Sequence, residues 1–267
     1  MEDITKNSTK DMGLTDPAYW DDYWINRPLP AEIKKSKESE ILNIFDRYLP
    51  KKSNLSILEI GGAPGQFLVY MHKNFGYKIN CLDYSKIGGM ITKKNFDLLN
   101  IPITVYQEDL FSRDLDLPLF DIVYSLGFIE HFLDLDTVIE KHLELLKPGG
   151  ILLIGVPNLR GINGWFLKRL SPKLFSKHNL SAMDISNWKN FENKFNLRVL
   201  FKGYVGGFEP SVFDKWENKK PIRNKILKGI SHSLTCVFRG IFKIFKILRK
   251  FNSPHISAYA IGIYKKP

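Results

Sequence analysis

Residues 57–65 read Ile-Leu-Glu-Ile-Gly-Gly-Ala-Pro-Gly, and Asp83 follows at the end of the next apolar run. This pattern constrains the fold more than any other in the chain. An apolar strand enters a glycine-rich turn, a helix follows, and an acid stands about 20 positions on, the order in which a parallel α/β sheet holds a nucleoside-containing ligand. Gly61 and Gly65 let the backbone turn tightly and approach a ligand with no Cβ in the way. Asp83, at the tip of the second strand, offers a carboxylate to ribose hydroxyls. The dinucleotide fingerprint Gly-x-Gly-x-x-Gly fails, because counting from Gly61 puts Ala63 and Gln66 at its second and third glycines. No Gly-Lys-Ser/Thr follows the turn, so a P-loop is excluded. A glycine turn that only packs a helix on a strand gives the same short pattern, and the rest of the chain must decide between the two.

Strands are expected near 55–60, 78–83, 103–107, 120–125 and 150–156, and helices near 65–75, 86–99 and 134–147. Apolar strands alternating with amphipathic helices imply a parallel sheet covered on both faces. The ligand crevice then lies at the carboxyl ends of the strands, where Glu59, Asp83, Asp109 and Ser125 fall. Ahead of the sheet, Ile41, Ile44, Phe45, Tyr48 and Leu49 share one face of a helix expected over Ala31–Leu49, which Pro50 ends.

Further segments match in order. Ile79 to Ser85, ending Leu-Asp-Tyr-Ser, follows the glycine turn. Glu108-Asp109-Leu110-Phe111 follows the third strand. Phe120 to Gly127 and then Ile129-Glu130-His131-Phe132 cover the fourth strand and its turn. Leu145 to Ile154 contains Lys147-Pro148-Gly149-Gly150 and then an apolar strand. Glu59, Gly61 and Gly65 fit an acidic-x-Gly-x-Gly-x-Gly spacing, with Ala63 at the middle glycine. Over roughly residues 40–160 the chain resembles class I S-adenosylmethionine-dependent methyltransferases of the small-molecule, lipid or sugar branch. The resemblance implies an α/β fold with a Rossmann-like seven-stranded, mostly parallel sheet, helices on both faces and the last strand antiparallel. It implies S-adenosyl-L-methionine as cofactor. Gly61 and Gly65 would approach its methionine part and Glu59 its amino group. Asp83 with Tyr84 would meet the ribose, Asp109 the adenine amine with Leu110 beside the ring, and Ser125 and Leu126 would lie at the end of the fourth strand. In this family the strands expected at 197–205 and 257–264 form an antiparallel hairpin at one edge, and a segment like Pro17 to Trp24 forms a helix over the cofactor. A helix merely docked on the sheet is the alternative for that segment.

Bulk properties agree with an enzyme of this kind. A chain of 267 residues with 44% apolar residues can bury a full core. Cys81 falls in an expected buried strand far from Cys236, which argues against a disulfide framework and for a reducing cytoplasm. Met1 to Met12 lacks the apolar stretch of a signal peptide, and no apolar run is long enough to span a membrane.

The charge is unevenly spread. Between Lys215 and Lys250 stand eleven Lys or Arg against Glu217 alone, which is +10 of the chain's net +11. Over Leu234 to Phe251 the pattern is helical, with Arg239, Lys243, Lys246 and Lys250 on one face and Leu234, Val237, Phe238, Ile241, Phe242, Phe245 and Leu248 on the other. That pattern suits a helix lying in an anionic membrane interface. A helix packed on its own domain or on a dimer partner, and a nucleic-acid contact, are the other readings. Nucleic acid is the least favoured, since phosphate binding needs no broad apolar face. The chain thus divides into an N-terminal helical cap (1–50), a cofactor-binding core (51–213) with a lid (157–184), a basic amphipathic insertion (214–254) and a final core strand (255–267).

In the lid, Trp165, Phe166 and Phe175 are expected to line an apolar pocket, and Ser181 to Asp184 to start a helix reaching Lys194 through a capping box. Methyl transfer to oxygen requires a base with a pKa near the working pH, and histidine suits this. His131, beside the expected methyl position, is the first candidate. His178 is the second, with Glu130 and Asp134 as orienting groups. His72 and His142 sit on expected helices away from the crevice, and His232 and His255 belong to the insertion and its exit. No Cys/His spacing suggests a metal. The leading function is O-methylation of a lipid-linked, quinone-like or sugar acceptor by a cytoplasmic enzyme attached peripherally to the inner membrane face. An RNA methyltransferase is the runner-up, since Ala63-Pro64-Gly65 is similar to a turn in some RNA-modifying enzymes. A non-catalytic cofactor-binding partner protein is the third reading.

Overall fold

Alternation of side chains along the central strands divides the interior into two cores. In the computed structural model, which describes residues 13–33, 40–207, 233 and 252–267, β1 (Ser56–Ile60) sends Leu58 and Ile60 to one face and Ile57 to the other. β4 (Phe120–Leu126) and β5 (Leu146–Pro157) divide the same way: Val123 and Leu152 to the first core, Tyr124 and Leu153 to the second. This is the two-residue strand period with both faces buried.

With β2 (Lys78–Leu82), β3 (Thr104–Tyr106), β6 (Arg198–Val205) and β7 (Tyr259–Lys265), the strands form one seven-stranded sheet of order β3-β2-β1-β4-β5-β7-β6. β1 pairs in parallel with β2 and β4, β2 with β3, and β4 with β5, whereas β7 runs antiparallel to both β5 and β6. The Rossmann-like sheet with an antiparallel last strand is therefore present. Chain order reverses between β1 and β4, and a ligand crevice is expected there.

Before the sheet lie α1 (Pro17–Trp24) and α2 (Glu40–Tyr48). The helix expected from Ala31 is shorter: residues 31–33 are not helical and 34–39 lie outside the described residues. α3 (Gln66–Phe75) and α4 (Lys86–Leu98) follow β1 and β2, and α5 (Leu135–Glu144) precedes β5. α2 and α3 cover the second core through Leu42, Phe45, Leu68 and Met71, and α5 covers the first through Val138 and Ile139.

Two sequence expectations are corrected here. The helix before β5 ends at Glu144, not Lys147, and β5 begins at Leu146. Phe120 pairs with Leu146 but Ile122 with Ile151, so Lys147-Pro148-Gly149-Gly150 bulges out of the ladder. Lys147 Nζ holds the bulge to Asp121 at 2.9 Å, while the other oxygen of Asp121 accepts from Ser56 N and Oγ at 2.8 and 2.7 Å. Second, residues 157–184, expected only as a lid, carry regular structure. They contain α6 (Ile162–Leu170), α7 (Pro172–Phe175) and a 3-10 turn at Leu180–Met183. The expected capping box at Ser181 does not form. Asn179 takes the cap, accepting from Ser181 N at 2.9 Å, and Asp184 bonds Ser186 instead. α8 (Lys189–Lys194) begins eight residues later than expected, after the fully buried Trp188, whose Nε1 donates to Ala182 O at 2.8 Å.

The helix expected over Leu234–Phe251 and the body of the 214–254 insertion, with His232 and Cys236, lie outside the described residues. The points where the chain leaves and re-enters are described. Glu40 Oε2 accepts from Gly206 N at 2.8 Å and Asn252 Nδ2 at 3.1 Å, and Asn252 Oδ1 accepts from Gly207 N at 3.3 Å.

Asn95, fully buried on α4, ties three segments together. Its Oδ1 accepts from Ala31 N at 2.6 Å, and its Nδ2 donates to Ala31 O at 3.0 Å and Pro64 O at 2.8 Å. Asn95→Ala leaves three backbone groups without this partner and should cost about 2 kcal/mol of unfolding free energy. Urea unfolding measures this, and an unchanged midpoint would contradict the role.

Candidate active site

At the end of β1 the backbone turns left-handed at Gly61 (φ 67°). A Cβ there would lie 2.6 Å from the ring of Phe128, so glycine is what lets the β1 turn meet the β4 turn. Gly65 (φ 79°) caps α3, and a Cβ there would come within 2.6 Å of the Phe96 ring. Glu59 is buried, its side chain folded against Gly62, and its Oε2 has no hydrogen-bond partner among the described residues. Burial pushes its pKa up to about 8 against the opposing pull of the nearby Tyr124 hydroxyl, with the Asp83 charge adding to the rise. Asp83 is also buried and accepts from Ser85 N at 2.9 Å. Burial raises it to about 6 against the opposing pull of the Ser85 and Ala63 N–H groups. An orphaned buried carboxylate oxygen beside a glycine turn fits the ammonium of the cofactor that the sequence resemblance implies, and Asp83 fits its ribose.

Two cavities open here. The first is lined by Gly61, Asp83, Tyr84, Glu108, Leu110 and Phe128 among others, and the second by Glu59, Gly62, Leu126, Glu130, Leu174 and His178 among others. They share Trp20, Trp24, Gly61, Gly127 and His131. Trp20 and Trp24 come from α1, which covers the crevice. Asp16 caps α1 by accepting from Tyr19 N at 2.8 Å, Pro17 starts it, and Asp21 Oδ1 accepts from Ser85 Oγ at 2.6 Å and Ile87 N at 3.0 Å at the start of α4. The aromatic helix is thereby fixed beside Asp83.

His131 ends the 3-10 turn Ile129–His131 after β4 and is buried. Its Nδ1 lies 2.8 Å from Lys177 O, so Nδ1–H donates and the neutral ring carries its lone pair on Nε2. His178 has the same arrangement, with Nδ1 2.7 Å from Leu174 O. The two rings are 4.9 Å apart, Trp20 meets His131 edge-on at 5.1 Å, and Glu130 Oε1 is 3.8 Å from His131 Nε2. Asn179 holds the lid to the turn, its N–H donating to Glu130 O at 2.7 Å and its Nδ2 to Phe132 O at 2.8 Å.

Several expected site residues are placed elsewhere. Ser125 does not line the crevice. It is buried in β4, where its Oγ meets His142 Nε2 at 3.0 Å. His142, whose Nδ1 faces Val138 O, is kept neutral by burial, which lowers it to about 4. Asp109 turns back on its own chain, accepting from Phe111 N at 2.9 Å, while its neighbours Glu108 and Leu110 line the first cavity. Asp134 caps α5 through Thr137 and does not orient His178. Trp165 and Phe175 line a separate outer groove with His255, and Phe166 packs on the first core. Beyond Pro157 at the end of β5, Leu174 and His178 are the lid's contribution to the crevice. Phe128, Thr15 and Tyr259 line the cavities without a sequence signal. Their proximity arises from the β4 turn packing on Gly61, the segment before α1 and the Pro157–Tyr259 pairing.

Residues 33–204 match the family model of a methyltransferase domain. Over 167 residues the chain is 27% identical to a ubiquinone biosynthesis O-methyltransferase of Pelagibacter ubique (strain HTCC1062), covering 59% of this chain and 67% of that protein. Coclaurine N-methyltransferase bound to N-methylheliamine and SAH superposes with a TM-score of 0.58 at 13% identity, over 88% of this chain and 76% of that one. A phosphoethanolamine N-methyltransferase of Haemonchus contortus, in complex with phosphomonomethylethanolamine and S-adenosylhomocysteine, does so with a TM-score of 0.54 at 16% identity, over 85% and 52%. The two structural likenesses establish the fold.

Two measurements test the cofactor half of the site. Asp83→Ala should weaken S-adenosylmethionine binding at least tenfold by calorimetry, and unchanged affinity would remove Asp83 from the site. The stability that protonated Glu59 lends the fold is complete below its unfolded value of 4.5 and is lost as pH rises through about 8. An ammonium bound against Glu59 favours the carboxylate. Cofactor binding at pH 7 should therefore release a proton, and affinity should rise towards pH 8. Buffers of differing ionisation enthalpy measure the release, which Glu59→Gln should abolish.

Proposed function

This chain belongs to the methyltransferase domain family and is an S-adenosylmethionine-dependent enzyme, and from that premise we propose that it methylates a hydroxyl oxygen on a quinone-like, lipid-linked or sugar acceptor. The observation that carries the proposal is His131, which lines both cavities and turns a lone-pair Nε2 away from its backbone tether. An amine acceptor attacks a sulfonium methyl with its own lone pair, whereas a hydroxyl must also give up a proton. A buried imidazole grouped with Glu130 and His178 suits that second requirement.

Held by Glu59, Gly61, Gly65 and Asp83, S-adenosylmethionine would supply a sulfonium methyl group for in-line transfer to the acceptor oxygen, its sulfur keeping the electron pair of the broken S–CH₃ bond. The hydroxyl proton passes to the Glu130–His131–His178 group. Trp20, Trp24 and Gly127 line the place where the cavities join, and alignment of the reacting groups there would supply several kcal/mol. The acceptor cavity is lined by Tyr19, Tyr23, Phe67, Leu126, Leu174 and Ile261, surfaces suited to an aromatic or prenylated ring. The O-methyltransferase relative of ubiquinone biosynthesis supports a quinone-like acceptor over a sugar.

The enzyme further docks peripherally on an anionic membrane, from the cytoplasmic side, through 215–250. Eleven cations and several Phe and Ile in that segment support this, as each cation near such a surface contributes about 1 kcal/mol. Among the described residues no helix is long and apolar enough to cross a membrane. Ile162, Trp165 and Ile256 are exposed on the outer groove beside Lys168, a further apolar and cationic surface.

Labelled methyl transfer from S-adenosylmethionine into a bacterial lysate, fractionated into lipid, glycan, RNA, protein and small molecules, tests the acceptor class. Label should enter the lipid or quinol fraction, and label confined to RNA would overturn the proposal. His131→Ala should lower turnover 10²–10⁴-fold with cofactor affinity kept. Sedimentation with anionic liposomes should weaken as salt rises, and equal recovery on neutral liposomes would refute membrane docking.

A further inference from the structure

Glu130, His131 and His178 offer one carboxylate oxygen and two imidazole nitrogens that all lie within 4.8 Å of one another. Glu130 and His131 are buried, and all three line the acceptor cavity. We propose that this trio is a divalent metal site, with zinc the best match, whose open coordination position faces the acceptor. Nothing in the sequence suggested a metal, because no two of the ligands have metal-ligand spacing along the chain.

The donor set carries the proposal. Two imidazoles and one carboxylate with a fourth position left for water or substrate is a catalytic zinc arrangement. Both imidazoles direct Nδ1–H at a backbone carbonyl, Lys177 O and Leu174 O, which leaves Nε2 of each as the ligand nitrogen. Such an outer hydrogen bond fixes the tautomer and ring orientation of a metal-bound histidine. Bonds to zinc of about 2.0–2.1 Å at tetrahedral angles put ligand atoms roughly 3.3 Å apart. The 3.8 Å from Glu130 Oε1 to His131 Nε2 is close to that value, so the remaining contraction falls on His178. His178 comes from the lid, which Asn179 already holds to the turn at Glu130 O and Phe132 O.

The role of the ion rests on the O-methylation reading, whereas its binding does not. The acceptor hydroxyl coordinates the ion and loses its proton to solvent. The oxygen forms the O–CH₃ bond as the S–CH₃ bond breaks and the electron pair returns to sulfur. The products are a methyl ether, S-adenosylhomocysteine and one proton. With the ion bound, His131 and His178 act as ligands and the ion takes their place as the activating group.

The full chain, stripped with a chelator, is titrated with Zn²⁺ against a chromophoric competitor and with Co²⁺ by visible absorption. One equivalent should bind, and Co²⁺ should give the intense bands of a tetrahedral site. His178→Gln and Glu130→Gln should each weaken Zn²⁺ at least tenfold, with S-adenosylmethionine affinity and thermal unfolding unchanged. Absence of a stoichiometric Zn²⁺ site, or a site retained in both variants, overturns the proposal. If the stripped enzyme methylates a quinol at full rate, the ion's role fails and the O-methylation reading stands. If Zn²⁺ binds at these residues but no hydroxyl acceptor is methylated, the reading fails and the metal site stands.

Discussion

The crevice depends on a backbone ladder that continues one step past the strands. Gly61 N donates to Leu82 O at 2.8 Å, Asp83 N to Tyr106 O at 3.0 Å and Gly127 N to Gly155 O at 2.8 Å. In each case the first residue of a turn stays bonded to the neighbouring strand. Glu59, on β1 itself, and the turns that carry Asp83 and His131 are therefore positioned by the sheet rather than by their own side chains. Preorganisation of this sort lets a site hold buried carboxylates without spending binding energy on ordering loops. The two glycines matter for the same reason, since a Cβ at Gly61 would collide with the Phe128 ring and one at Gly65 with the Phe96 ring.

Onto this frame the chain fastens two covers from opposite directions. α1 arrives from the N-terminal side and is latched at Asp21 to the start of α4. The lid arrives after β5 and is latched at Asn179 to the β4 turn. Lys177 Nζ lies 4.2 Å from the centre of the Tyr19 ring, so the covers meet each other above the crevice. His131 lies beneath that meeting point, with Trp20 on one side and His178 on the other. Closing the site against water and assembling its polar group are therefore one structural event.

Much of this was legible from residue order. All seven strands were located to within a few residues, most readily the central ones, whose two faces are both buried and whose apolar runs are dense. Gly61, Asp83, Tyr84 and Leu110 line one cavity; Gly61 and Asp83 were legible because close backbone approach and strand-end acids follow local chemistry, Tyr84 and Leu110 only through the family resemblance. What failed shows the limits of local reasoning. Ser125 and Leu126 are adjacent on β4 and point to opposite sides, and a strand buried on both faces carries no polarity signal to say which side opens to ligand. Glu108 and Asp109 present the same ambiguity in a turn. The capping box at Ser181 lost to Asn179, whose side chain also serves the β4 turn, a contact invisible in sequence. The grouping of His178 with Glu130 and His131 required the fold itself.

The Glu40 clamp has a consequence for what sequence the fold can carry between residues 207 and 252. Its two ends are held at one point between β6 and β7, strands that lie side by side. Replacing a hairpin loop of about four residues by one of about forty, treated purely as added loop length, costs about 2 kcal/mol of closure entropy. The pairing of β6 with β7 from Arg198–Lys265 to Val205–Tyr259 lies entirely on the sheet side of the clamp. A segment spliced in at that point leaves every strand register and every crevice residue where it was. The hairpin is thus a port at which sequence, and any binding property it brings, can be exchanged at little thermodynamic expense to the enzyme beneath.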